Sequence, residues 1–165
     1  TKLLRVAAAS APEGVDVDVT DLGGIPPYRE EDYVQGFPAA VEALRQSIRE
    51  ADALLIATPE YNYSYSGVLK NAIDWVSRPP EQPFAGKPIA LMGAAAGALG
   101  TARAQYHLRQ VFVFLDGHIL NQPEVMVPAA HTLFDARGEL ADEATRERVS
   151  QLVEALVQWA ARFGG

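Results

Sequence analysis

The stretch LLIATPEYNYSYSGVLKNAIDWVSR, Leu54 to Arg78, sets a proline, a glutamate, an asparagine and several tyrosines between an apolar run and an amphipathic helix. Pro59 has a fixed φ and pushes Thr58 into an extended conformation, so a strand must stop there. The amides that follow leave the ladder and need other acceptors. Asn62 tolerates positive φ and can reverse the chain. Tyr61, Tyr63 and Tyr65 offer flat apolar faces with polar tips. Such a loop can receive a flat heteroaromatic ring whose edge alternates acceptors and donors, as the pyrimidine edge of a flavin does. The same residues also suit an ordinary strand-to-helix loop whose tyrosines cover the core. The loop alone leaves both open.

A second segment, GAAAGALG from Gly93 to Gly100, has so little bulk that a ligand can approach its backbone. A helix starting near Gly100 turns its amides toward the same rim. The segment matches neither the dinucleotide fingerprint nor the phosphate-binding P-loop, and by itself it is a flexible turn. In open α/β sheets, however, ligands bind beyond the carboxyl ends of the strands. One strand away from the tyrosine loop, it becomes the second wall of one crevice.

The elements that must position these walls alternate along the chain. Apolar spacing predicts a helix over 1–11, ended by APEG, and a second helix from about Pro38. VDVDVTDL alternates strictly and predicts a strand with one solvated face, near a sheet edge. Ala53–Thr58 and IALM read as buried strands, the first of them central and covered on both faces. HILNQPEVMV reads as a last strand interrupted at Pro123. Val68, Leu69, Ala72, Ile73 and Val76 form the stripe of the helix after the tyrosine loop, with Trp75 packed in the core. Ala104, Leu108, Val111, Phe112 and Leu115 line another. The last helix starts near Asp142, its N-cap, and buries Val149, Leu152, Val153, Leu156, Trp159 and Phe163. This is the pattern of an α/β domain with a doubly wound parallel sheet, one domain over 1–165.

Composition narrows the function. The 165 residues carry a formal net charge of −7 and no cysteine. Clustered cations for nucleic acid or an anionic membrane surface are absent from the sequence, as are disulfides and thiolate chemistry. There is no apolar run of membrane-span length and no leader pattern, which predicts a cytoplasmic protein. His107, His118 and His131 lack metal-ligand spacing. Glu60 reads as a loop residue bonding local backbone and not as a catalytic base.

The blocks PEYNYSYSGVLKNAIDWVSRP, PFAGKPIALM, GALGTARAQYHLRQVFVFLDGHILNQPEV and GELADEATRERVSQLVEAL resemble, in order, those of the NAD(P)H-dependent FMN reductases. The likeness is greatest to the bacterial branch that reduces quinones and chromate. It implies a flavodoxin-like sheet of strand order 2-1-3-4-5 with non-covalent FMN. It further implies hydride transfer from NAD(P)H to FMN, then reduction of a small-molecule acceptor. Pro59, Glu60, Tyr61 and Asn62 would lie at the isoalloxazine ring, with the amides after Pro59 bonding its pyrimidine side. Gly93, Ala94, Ala95 and Gly97 would face them. Alanines at 94–96 replace the serines common in relatives, leaving backbone contacts alone. The first strand of the family, and the loop that holds the FMN phosphate, would precede Thr1. No residue is nominated as a catalytic acid or base. Arg103, Tyr106 and Gln110, with Glu124, would form an interface in a homodimer or homotetramer. Two alternatives are a flavodoxin-type one-electron carrier and a non-catalytic scaffold with a degenerate pocket.

Overall fold

The computed structural model describes residues 1–135 and 137–163. Its centre is strand β2, Pro88–Ala94, buried along almost its whole length. Strand β1, Leu54–Ala57, pairs with it in parallel, Leu54 opposite Ile89 and Ala57 opposite Met92. On its other side β2 pairs with β3, His118–Ile119, and then β4, Val125–Val127, also in parallel. β3 and β4 are thus one edge strand interrupted around a cis Gln122–Pro123 bond, as the sequence predicted. Proline cannot donate to a ladder.

Helices cover both faces. Ala90 and Met92 point to a cluster completed by α1 (Lys2–Ala9) and α6 (Glu143–Ala160), through Leu3, Ala7, Val149, Leu152, Val153 and Leu156. Ile89 and Leu91 point the other way, to Ile48 of α3 (Ala39–Glu50), Leu69, Ile73 and Val76 of α4 (Gly67–Val76), and Leu108 and Phe112 of α5 (Ala102–Phe114). Period-2 alternation on a strand sandwiched between helices accounts for its unbroken apolar sequence. Each fully buried Leu or Ile contributes about 1.5–3 kcal/mol. Asp142 caps α6, accepting from the Thr145 amide at 2.8 Å. The helix-capping carboxyl is held below its ordinary range, chiefly by Thr145.

Several expectations are corrected. Among the described residues VDVDVTDL pairs with no strand: Val15–Thr20 faces β1 across an apolar groove of about 880 Å³, lined also by Leu4, Leu44, Ile48 and Leu156. Its alternation is genuine, but a strand needs a neighbour within hydrogen-bonding reach, and Val17 and Val19 stay exposed. Among the described residues β1 pairs with β2 alone and is half-buried, where full cover on both faces was expected. Val68 is exposed, so the α4 stripe is Leu69, Ala72, Ile73 and Val76, joined by Trp75. Trp159 and Phe163 are not buried with Val149 to Leu156: the tryptophan is half-buried and the phenylalanine exposed. The loop after Val19 contains a short helix, α2 (Glu30–Tyr33). The parallel ladder β1-β2-β3/β4 matches the last three positions of the order 2-1-3-4-5.

Candidate functional site

β1 and β2 run parallel, so their carboxyl ends open on the same rim, and the two candidate walls grow from them. Thr58 extends the ladder by one bond, its amide donating to Met92 O at 3.1 Å. Its hydroxyl donates to Pro59 O and accepts from the Ser66 amide at 3.3 Å, closing the base of the loop. Ser66 then caps α4 through the Leu69 amide.

At the tip, the Tyr61 amide donates to Ser64 O at 2.9 Å and the Ser64 amide to Tyr61 O at 3.0 Å. Asn62 and Tyr63 between them have φ of 49° and 70°. Two consecutive left-handed residues make a primed two-residue turn. The positive φ at Asn62 was legible in the sequence; at Tyr63 it was not, because a bulky side chain disfavours that region. Tyr61 and Tyr63 are exposed, and only Tyr65 packs against the core. Covering the core therefore explains one tyrosine of three.

Glu60 departs from expectation most. Its side chain is 3% exposed and reaches α5 instead of local backbone. It accepts from Arg103 Nε at 2.5 Å, pairs with the same guanidinium through a second nitrogen, and accepts from the Ala104 amide at 3.1 Å. Burial alone would raise its pKa, but the Ala104 amide and Arg103 outweigh it and hold the carboxyl below the ordinary range. Arg103 also lies over the Tyr63 ring, 3.7 Å from its centroid.

The second wall is shaped by absent side chains. A Cβ on Gly93 would collide with Thr58 O and Thr101 Oγ1. A Cβ on Gly100, at φ 57°, would lie 2.8 Å from Met126 O. Gly97 faces open space. Main-chain bonds anchor this wall: Ala95 N to Val127 O at 3.0 Å, Ala130 N to Ala95 O at 3.0 Å, Ala129 N to Gly97 O at 3.4 Å. Ala96 to Leu99 remain exposed.

This donor set fits the ring of a flavin. The amides of Glu60, Asn62 and Tyr63, and those of Ala96 and Gly97 opposite, have no acceptor among the described residues. Tyr61 does not join them, because its amide is used in the turn. The one carboxylate of the loop is withdrawn and neutralised. By contrast, the groove beside β1 has largely aliphatic walls and is lined by none of residues 59–64 or 93–97, so its chemistry is that of a sheet edge.

Sequence reasoning missed the use of Asn71 and Trp75. Asn71 Nδ2 and Trp75 Nε1 both donate to Pro26 O, at 2.9 and 2.8 Å, while Asn71 Oδ1 accepts from the Tyr28 amide. Their i, i+4 spacing on α4 was the available signal. It pins the Pro26–Tyr28 loop to the helix that follows the tyrosine turn. Trp75 is fully buried, as expected. Tyr106 Oη reaches Glu124 at 3.4 Å, which raises the phenol pKa, and Gln110 is exposed. His107 approaches Ser64 at 3.3 Å and His118 stacks on Phe163.

The sequence profile of NADPH-dependent FMN reductases matches residues 1–132. An NAD(P)H-dependent FMN reductase of Pseudomonas aeruginosa is 59% identical over 162 residues, covering 98% of this chain and 88% of the relative. A quinone reductase of Escherichia coli K12 is 44% identical over 161 residues, covering 96% and 86%. Among solved structures, the flavoenzyme NAD(P)H:(acceptor) oxidoreductase FerB of Paracoccus denitrificans superposes with a TM-score of 0.87 at 32% identity, covering 99% of this chain and 90% of that one.

Proposed function

The chain belongs to the NADPH-dependent FMN reductase family, and on that premise we propose that its physiological acceptor is a quinone-type molecule, reduced in the crevice between residues 59–64 and 93–100. The enzyme is an NAD(P)H-dependent, FMN-containing oxidoreductase. Bound FMN would supply the redox chemistry between the nicotinamide and the acceptor.

The protein's part is to bind, orient and exclude. Pro59, Glu60, Tyr61 and Asn62 form one wall, with the free amides of Glu60, Asn62 and Tyr63 as donors to the pyrimidine side, where negative charge grows on reduction. Gly93, Ala94, Ala95 and Gly97 form the other: Gly97 faces open space and leaves room for close approach of a ring, while Gly93 and Ala94, at the end of β2, set the wall against Thr58 and Thr101. Exposed faces of Tyr61 and Tyr63 suit a flat acceptor, which favours a quinone over a compact oxyanion such as chromate. The single observation that carries this assignment is the pair of loops with unpaired amides at the carboxyl ends of adjacent parallel strands.

One FMN-binding domain in the cytoplasm, assembled as a homodimer or homotetramer, completes the proposal. The face of α5 that carries Arg103 and Tyr106 ends in Val113 and Phe114, 81% and 88% exposed, and Glu124 lies beside it. Apolar side chains so exposed favour burial against a second copy.

The test is an absorbance titration of the purified protein with FMN, followed by anaerobic NADPH and then a benzoquinone. Flavin bands near one per chain, bleached by NADPH and restored by the quinone, are expected. Protein that stays colourless, or bound flavin that neither nicotinamide nucleotide bleaches, would overturn the assignment.

A further inference from the structure

The loop that carries the unpaired amides is fastened to α5 by a charge pair across 43 residues of sequence. Three features make that fastening more than a surface ion pair. The Glu60 side chain is almost completely buried, and both its oxygens are used, one on Arg103 and one on the Ala104 amide in the first turn of α5. The N-cap residue of α5, Thr101, makes no side-chain bond to a helix amide, and its hydroxyl instead accepts from Gln105 Nε2 at 2.9 Å. Glu60 therefore does from a distant loop what an N-cap normally does locally. Thirdly, Arg103 spans the loop: its edge holds Glu60 at the base, and its face lies on Tyr63 at the tip. Tyr63 stands at φ 70°, a conformation that costs a bulky residue free energy and persists only where surroundings enforce it.

We propose that Glu60 and Arg103 are positioning residues: their pair, completed by the stacking of Arg103 on Tyr63, fixes the Pro59–Ser64 loop to α5 and keeps the flavin-facing wall neutral. This rests on the reading that the loop receives FMN. An unpaired Glu60 carboxylate behind the loop would oppose the negative charge that reduction places on the flavin. An unpaired Arg103 would favour it. Neutrality lets the loop's amides, oriented by the turn, set the field at the ring.

The experiment compares wild type with Glu60→Gln, Arg103→Lys, Arg103→Gln and the double variant E60Q/R103Q. Three quantities are read: FMN affinity by fluorescence quenching, the midpoint potential of bound FMN, and amide exchange at Ala104 in flavin-free protein. Arg103→Gln is expected to weaken FMN binding about tenfold, on the order of 1.4 kcal/mol, and to shift the potential negative. Glu60→Gln should shift it positive. The double variant should return the potential toward wild type while Ala104 exchange stays fast, because charge is rebalanced but the brace is lost. Arg103→Lys keeps the charge without the fork or the planar face. It should hold the potential yet loosen the turn, and its mildness guards against a variant that fails to fold. Folded variants that all bind FMN within twofold of wild type, with one common potential and unchanged exchange, would overturn the proposal and leave the flavin reading standing. Wild-type protein that binds no FMN would overturn both.

Discussion

The loop after β1 is held by its side chains, whereas the loop after β2 is held by main chain and by the side chains it lacks. In the first, Thr58 closes the base, Glu60 reaches α5, and Arg103 covers Tyr63. In the second, Gly93 and Gly100 let three pieces of backbone approach closely, and Ala95 and Gly97 bond to the segment after β4. The first is adjustable by charge and pH; the second is set by volume. The proposed flavin crevice would draw on both, oriented donors from one wall and lack of bulk from the other.

The largest expected effect tests the shared joint. Gly93→Ala forces a methyl group into Thr58 O and Thr101 Oγ1, so neither wall can keep its place. Overpacking of this kind costs about 3 kcal/mol, and urea denaturation should show a midpoint well below wild type. Near-wild-type stability would mean the strands part there without cost.

Next comes acid. The Glu60 carboxyl sits below its ordinary range when folded, since the Ala104 amide and Arg103 outweigh the opposing effect of burial. The unfolded chain therefore takes up the proton more readily. The stabilisation is complete above the ordinary carboxylate range and is lost as pH falls through that range to the lower folded value. Thermal scans of wild type and Glu60→Gln, pH 7 down to 3, should converge at the acid end. A constant gap between the curves would deny the pair its role.

A smaller effect is expected at the far end of the same loop. Ser66→Ala removes the cap of α4 and should cost about 1 kcal/mol, readable in the same denaturation assay. Smallest of all, Gly97→Ala adds a methyl group into open space without positive φ, and should change stability by less than about 0.5 kcal/mol. It should still weaken FMN binding, because that space is where the ring is proposed to lie. Unchanged FMN affinity would move the ring away from the second wall.

Much of this was legible from residues near one another in sequence. Pro59 did end β1's ladder one residue after Ala57, Asn62 did take positive φ, and Asp142 did cap α6. The paired apolar runs at 54–57 and 88–94 did become adjacent parallel strands. Less legible was anything whose partner lay far along the chain. Glu60 looked like a residue that bonds its own loop, and no local pattern names Arg103 as its partner. The three tyrosines look alike in sequence, yet one is packed and two are exposed.

The amino-acid order by itself therefore determined the alternation of the main helices and strands, most of their apolar faces, and that two small-residue and tyrosine-rich turns follow neighbouring strands. Those properties follow from φ restriction, capping and hydrophobic period, which act over a few residues. Tertiary structure alone decided that Val68 faces solvent, that Trp159 and Phe163 stay out of the buried stripe of α6, and that a carboxylate in one wall is neutralised from the helix behind the other. Hydrogen bonds and ion pairs act only at contact, and contact between residues 60 and 103 exists only once the sheet has brought them together.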